Sequence, residues 1–194
     1  GGPFKHLSTD IFRKQLEVNV LGVVSVTRAF LELLGAFKGS KNQGKIIMIS
    51  SVSGRRAYPY MSPYAASKFA LEGMSDSLRR ELMMYGIDVI LVEPGPVKSE
   101  IWNKAPDKNN HPYINTDYKE SVETFYEQVV DKAQEPLPTE ILGNAIKDII
   151  ENPSPKTRYV FTKNKFKEYI LPGLLPDRTL DKLMASRLKI KKEQ

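Results

Sequence analysis

The chain has 194 residues, of which 41% are hydrophobic and 27% are charged. That length and composition suit one globular domain with a sizeable core and exclude an intrinsically disordered chain. Cysteine is absent, which excludes disulfides and thiolate metal sites, and His6 and His111 lie far apart, so no metal is predicted. No apolar run approaches the roughly 20 residues of a membrane-spanning helix, and we expect a cytoplasmic protein with no integral membrane segment.

The charge balance is basic, with 29 basic and 23 acidic residues and a formal net charge of +6. Part of the excess lies toward the C-terminus, at Lys163, Lys165, Lys167, Arg187, Lys189, Lys191 and Lys192. A basic tail can bind nucleic acid or anionic lipid. No binding motif accompanies it, so a solvated terminal surface is the favoured interpretation and no nucleic-acid partner is predicted.

The first predicted element is a long helix that begins after Ser8 or Thr9 as N-cap and ends near Gly35. Apolar residues recur at helical spacing along it: Phe12, Leu16, Val20, Val23, Phe30 and Leu34. Asn19 lies on the apolar side of this helix. It is either a core asparagine hydrogen-bonded to neighbouring backbone or a functional residue, because a buried amide needs partners.

A short apolar run, Ile46 to Ile49, predicts a parallel strand that is covered on both faces. Ser51 and Ser53 follow the end of this strand, where open α/β sheets bind their ligands. An ordinary turn serine is the alternative interpretation.

A second predicted helix follows Pro63 and brings Tyr64 and Lys68 onto one face, because residues four apart are neighbours on a helix. A nearby ammonium favours the phenolate, so we expect Lys68 to lower the pKa of Tyr64. With Ser51 close by, the three side chains would form an acid/base site for a carbonyl or an alcohol. A core or interface tyrosine is the competing interpretation.

A second buried strand, residues 88–93, runs directly into Pro94-Gly95-Pro96-Val97. Residues 98–138 are polar and proline-containing, with a helix predicted from Tyr118 to Ala133. Thr139 to Ile150 is predicted as a helix and residues 158–161 as the last strand. Leu171 to Leu188 is amphipathic.

Four motifs together resemble the short-chain dehydrogenase/reductase family, in its single-domain oxidoreductase branch. They are Tyr64-x-x-x-Lys68, Ser51 at the family's distance before the tyrosine, Asn19-Val20-x-Gly22 and Pro94-Gly95-x-Val97. The resemblance implies an α/β fold with a Rossmann-like, three-layer parallel sheet and an NAD(P)-dependent oxidoreductase that interconverts a secondary alcohol and a ketone. It implies NAD or NADP as cofactor.

The resemblance also implies the roles of the site residues. The catalytic residues would be Asn19, Ser51, Tyr64 and Lys68. The cofactor would be bound by Tyr64, Lys68, Pro94, Gly95, Val97 and Ser99, and the substrate by Ser51, Ser53, Tyr64 and Trp102. A tryptophan packed on the core is the equal alternative for Trp102.

Domain organisation follows from the same resemblance. Residues 1–194 would form a single domain, with a catalytic core at 9–97, a substrate lid at 98–138 and a C-terminal extension at 163–194. That extension is similar to those of relatives that act on bulky lipophilic alcohols. A homodimer or homotetramer would form through the helices at 9–35 and 63–85, although core packing explains the same apolar stripes.

The chain departs from the family pattern in its glycines. None of the 12 glycines forms the phosphate-binding patterns G-x-G-x-x-G or T-G-x-x-x-G-x-G. We therefore expect the first βα units to be missing from this chain, which could be an inactive fragment of a complete enzyme. The alternative is a non-catalytic dimerisation or assembly module derived from the same fold. Epimerisation or dehydration is disfavoured by the short segment after Gly95.

Overall fold

The computed structural model describes residues 1–100, 110–133 and 136–191. Three strands form one parallel sheet in the order β1-β2-β3: β1 Lys45–Ile49, β2 Asp88–Pro94 and β3 Arg158–Phe161. Ile47 lies opposite Ile90, and Leu91 lies opposite Arg158. The parallel pairing confirms the predicted fold class, and the three strands lie close to their predicted bounds.

The long N-terminal helix consists of α1 Thr9–Leu16, a π-helical segment Glu17–Leu21 and α2 Gly22–Phe30. The last turn then closes at Gly35, where φ is +98°. The Ala36 amide donates to the Leu31 carbonyl and the Gly35 amide to the Glu32 carbonyl, both at 3.0 Å. This pair of hydrogen bonds is a Schellman motif, which explains why the chain turns at the predicted glycine.

Helix α3, Ser62–Leu82, packs on one face of the sheet, and α5, Thr139–Glu151, packs on the other. Pro63 opens α3, and Gly86 follows its end with φ +69°. The core on the α3 side contains Ile46, Met48, Leu71, Leu82, Ile87, Val89 and Leu91. The core on the α5 side contains Ile90, Val92 and Ile149. Two helical layers therefore enclose β2, which is buried on both faces.

Strand β1 differs from its prediction on one face. Ile46 and Met48 are buried against α3, but Ile49 is 43% exposed. The prediction that both faces are covered was therefore wrong within the described residues. Ile49 is exposed because β1 is an edge strand of this sheet. An open groove of about 700 Å³ lies between β1 and Ile146 and Ile150 of α5.

The remaining secondary-structure elements of the described chain are helices. Helix α4, Lys119–Ala133, packs Val122, Phe125 and Tyr126 against Tyr60 and Leu188. A π-helical segment, Phe166–Ile170, leads into α6, Leu171–Leu174, and α7, Asp177–Arg187, follows. None of the described helices is long and apolar enough to cross a membrane.

Candidate active site

Ser51 lies two residues after the end of β1, at the carboxyl end of the sheet. Its side chain is nearly buried, and its hydroxyl oxygen accepts a hydrogen bond from the Ser53 amide at 3.1 Å. The same hydroxyl donates to the Pro94 carbonyl at 3.4 Å. Ser51 thereby joins the ends of β1 and β2. Ser53 lies in the short helical turn Val52–Gly54 that Ser51 caps.

Tyr64 and Lys68 lie one turn apart on the first half of α3, as predicted. The Lys68 Nζ atom lies 5.7 Å from the centre of the Tyr64 ring and donates to the Ile49 carbonyl at 2.9 Å. The Tyr64 hydroxyl shares a hydrogen bond with Ser51. The structure therefore brings the serine, the tyrosine and the lysine together at the end of β1.

The pKa of Tyr64 is shifted in the direction opposite to the one predicted. Burial raises the pKa of Tyr64 above its ordinary value, and the hydrogen bond with Ser51 opposes this only in part. Burial likewise lowers the pKa of Lys68, against the attraction of Glu72. The prediction that Lys68 lowers the pKa of Tyr64 is not met, because the ammonium is bonded to the Ile49 carbonyl rather than to the phenol. Tyr64 is thus a neutral phenol that can donate a proton.

Asn19 lies in the π-helical segment of the long N-terminal helix, and such segments often occur at functional sites. Its side-chain amide donates to the Ser67 hydroxyl at 3.0 Å, and that hydroxyl donates to the Tyr64 carbonyl at 2.7 Å. Asn19 therefore contacts the backbone of the Tyr64 turn through Ser67. Ser67 was not predicted from the sequence, although a serine inside a helix that bonds to a carbonyl one turn earlier is a common pattern.

The predicted cofactor residues at the end of β2 and beyond it do not all lie beside Ser51. The Gly95 amide donates to the Phe161 carbonyl of β3 at 2.8 Å, which fixes Pro94 and Gly95 beside Ser51. Val97 forms a β-bridge with Leu137. Ser99 is exposed and takes no part in the hydrogen bonds described above for Ser51 and Lys68. Trp102 lies outside the described residues.

A buried charge cluster next to the site was not predicted. Arg158, at the start of β3, forms ion pairs with Glu72 of α3 and Glu93 of β2, and its guanidinium lies 3.6 Å from Asp76. The side chains of Glu72 and Glu93 are 5% and 0% exposed. Burial lowers the pKa of Arg158, but hydrogen bonds with both glutamates outweigh that effect and raise it. The signal in the sequence was Glu93, a charged residue that directly follows the apolar run 89–92.

Among the described residues, no group of three or more histidine, aspartate or glutamate side chains could hold a metal ion. The site instead presents a phenol, an ammonium and a hydroxyl. Those groups bind and protonate an oxygen atom.

Comparison with known proteins places the chain in a family. A family model described as short chain dehydrogenase matches residues 1–110. The NADPH-dependent 3-dehydrocapnine reductase of Ornithobacterium rhinotracheale is 43% identical over 188 residues, which are 97% of this chain and 66% of the reductase.

Two solved structures share the fold. A short-chain dehydrogenase from Streptomyces avermitilis superposes with a TM-score of 0.68 at 24% identity, over 97% of this chain and 63% of its own. A short-chain dehydrogenase from Burkholderia cenocepacia J2315, in complex with NADP, gives a TM-score of 0.65 at 23% identity, over 98% and 64%.

The chain spans about two thirds of the length of these proteins. The family model covers more than half of the chain, and the predicted motif residues Asn19, Ser51, Tyr64 and Lys68 all fall inside the match. The resemblance inferred from those motifs is therefore confirmed, and this chain belongs to the short-chain dehydrogenase family.

Proposed function

We propose that the protein is an NAD(P)-dependent oxidoreductase that interconverts a secondary alcohol and a ketone. The observation that carries the proposal is the convergence of Ser51, Tyr64 and Lys68 at the carboxyl end of β1. The 43% identical relative is an NADPH-dependent reductase, which supports the same class of reaction. That the substrate is bulky and lipophilic stays a prediction. It rests on the resemblance of residues 163–194 to the extensions of relatives that act on such alcohols.

In this proposal Ser51, Tyr64 and Asn19 have separate tasks. The Ser51 hydroxyl hydrogen-bonds the substrate oxygen and stabilises the charge that develops on it. The Tyr64 phenol, kept neutral by burial, gives its proton to that oxygen during reduction. Asn19 completes the proton path and, through Ser67, holds the Tyr64 turn in place.

The nicotinamide end of a dinucleotide fits the residues present. The Lys68 ammonium and the Tyr64 hydroxyl could bind its ribose hydroxyls, with Pro94 and Gly95 beside the ring and Val97 and Ser99 as further predicted contacts. The bound cofactor would supply or accept the hydride. Glycines that could cradle the phosphates are absent from the sequence, so this chain has groups for only one end of the cofactor.

The proposed substrate lid includes α4 and lies against the catalytic segment. Tyr60, four residues before Tyr64, has φ +67° and donates from its hydroxyl to the Ser121 hydroxyl of α4 at 2.7 Å. Phe125 packs edge-on against the Tyr60 ring at 5.5 Å. These contacts attach α4, part of the proposed lid at 98–138, to the loop before the catalytic tyrosine.

The proposed dimer uses the helices at 9–35 and 63–85. Both carry large exposed apolar side chains: Val18, Leu21, Val26, Phe30, Leu33, Phe69, Met83 and Met84. We expect Leu21→Asp combined with Val26→Asp to place a charge in the interface and shift sedimentation of the full-length protein toward the monomer. An unchanged sedimentation coefficient would mean that these helices do not form the contact.

The competing hypothesis is a non-catalytic assembly module that keeps the fold without the reaction. The two hypotheses differ in dinucleotide binding. Titration of the full-length gene product with NADPH and NADH, followed by cofactor fluorescence, should give saturable binding of at least one of them. If neither binds at millimolar concentration, the oxidoreductase proposal is wrong and the assembly module is favoured.

A further inference from the structure

The helical segment after β3 carries four apolar side chains that are at least 40% exposed. We call Phe166, Ile170, Leu171 and Leu174 the C-terminal ridge. Their exposed fractions are 58%, 40%, 40% and 73%. Single exposed apolar residues are ordinary, but four within nine residues of one helical segment form a contiguous apolar surface of the kind that marks an interaction site.

The opposite side of the segment is fixed to the protein, so the ridge is held outward. Tyr169 lies between the ridge residues in sequence and shares a hydrogen bond with Glu93 of β2. The Arg56 guanidinium lies 5.6 Å from the Tyr169 ring centre and fills the space where Gly173 has no side chain. The contacts of Tyr169 and Gly173 therefore determine which residues face solvent.

Charge beside the ridge restricts what can cover it. Lys165 and Lys167 are exposed and lie within two residues of Phe166, whereas Glu168 is the one acidic residue between Thr162 and Pro176. A second copy of the ridge would bring lysines against lysines, which opposes self-association. An anionic surface would attract them.

We propose that the C-terminal ridge binds the surface of an anionic membrane. Its apolar side chains would enter the boundary between headgroups and acyl chains, while Lys165 and Lys167 stay at the level of the phosphates. This contact would lie on the membrane surface, with the apolar side chains at the headgroup boundary. The proposal is independent of the reaction at Tyr64.

The test is co-sedimentation of the full-length protein with sucrose-loaded vesicles. Vesicles of phosphatidylcholine alone are compared with vesicles that contain 30 mol% phosphatidylglycerol. The wild type should partition at least about tenfold more strongly onto the anionic vesicles, and added salt should reduce that difference, since lysine–lipid attraction is screened. Wild-type protein that does not bind the anionic vesicles overturns the proposal.

Two double variants separate the two contributions. Phe166→Ser with Leu174→Ser should lower partitioning about tenfold or more on either vesicle. Lys165→Gln with Lys167→Gln should reduce the preference for anionic vesicles, by roughly fivefold per lysine. The matched control is Phe4→Ser with Ile141→Ser, which removes two apolar residues that are 72% and 50% exposed elsewhere. Equal loss in the control and the ridge variant contradicts the proposal.

A second copy as the occupant gives a different result. Sedimentation velocity would then show concentration-dependent association that Phe166→Ser with Leu174→Ser abolishes, without vesicle binding by the wild type. Thermal unfolding of each variant verifies that it is folded. If the apolar double variant unfolds, the single variant Leu174→Ser and the lysine variant still decide the outcome, because both change only exposed side chains.

Discussion

Replacing Tyr64 by phenylalanine in the full-length protein should lower kcat by about 10²–10⁴-fold, the range that a positioned general acid contributes. The substitution removes one hydroxyl and keeps the ring. The Lys68 ammonium would still donate to the Ile49 carbonyl, so the fold and the cofactor contacts of Lys68 should persist. The expected result is therefore loss of turnover with dinucleotide binding largely retained, measured by NADPH oxidation and by fluorescence titration.

Tyr85→Phe is the matched control for this experiment. Tyr85 packs at the edge of the core beyond the end of α3, so removing its hydroxyl should leave turnover within a few-fold of wild type. If Tyr64→Phe also retained turnover within a few-fold, Tyr64 would not be the proton donor. If both substitutions abolished turnover, the effect would report folding rather than chemistry.

Arg158→Met should destabilise the fold by roughly 3 kcal/mol, at the low end of the range for breaking a buried ion pair. The low end applies because the Arg158 side chain is 23% exposed, which allows partial solvation of the groups left behind. The substitution would leave Glu72 and Glu93 without their cation, and both are almost completely buried. Urea unfolding followed by circular dichroism measures the change.

Arg13→Met provides the comparison for an exposed ion pair. Arg13 pairs with Asp10 on α1, where the two side chains are 68% and 83% exposed. Such a pair contributes no more than about 1 kcal/mol, so its loss should barely move the unfolding midpoint. Arg158→Lys should recover only part of the stability, because an ammonium cannot bridge both carboxylates as a guanidinium does. Similar midpoints for Arg158→Met and Arg13→Met would show that the cluster is not a stabilising one.

Local patterns predicted most of the elements. The apolar period of 3.6 identified the long N-terminal helix and α5, and the apolar runs identified β1 and β2. Gly35 ended the N-terminal helix where predicted, because a left-handed residue is required at that point. The spacing of Tyr64 and Lys68 likewise placed both on one face of α3, since that depends only on helix geometry.

The electrostatics of the site could not be predicted in this way. The pKa of Tyr64 depends on its burial and on where the Lys68 ammonium points, and both are set by packing against the end of β1. The exposed face of β1 depends on which neighbours lie beside it. Asn19 contacts the Tyr64 backbone through Ser67. Ser67 occupies an unspecified position of the motif Tyr64-x-x-x-Lys68, so the motif does not predict this contact.

The sequence by itself determined the family, the parallel α/β class and the serine, tyrosine and lysine of the candidate site, because periodicity and motif spacing are properties of the chain. The tertiary structure decided which charges are paired and which apolar residues face solvent. Arg158 meets Glu72 and Glu93 only after three separate elements pack together. The solvent exposure of Phe166 and Leu174 likewise follows from tertiary contacts, because Tyr169 and Gly173 hold the opposite side of the segment against Glu93 and Arg56.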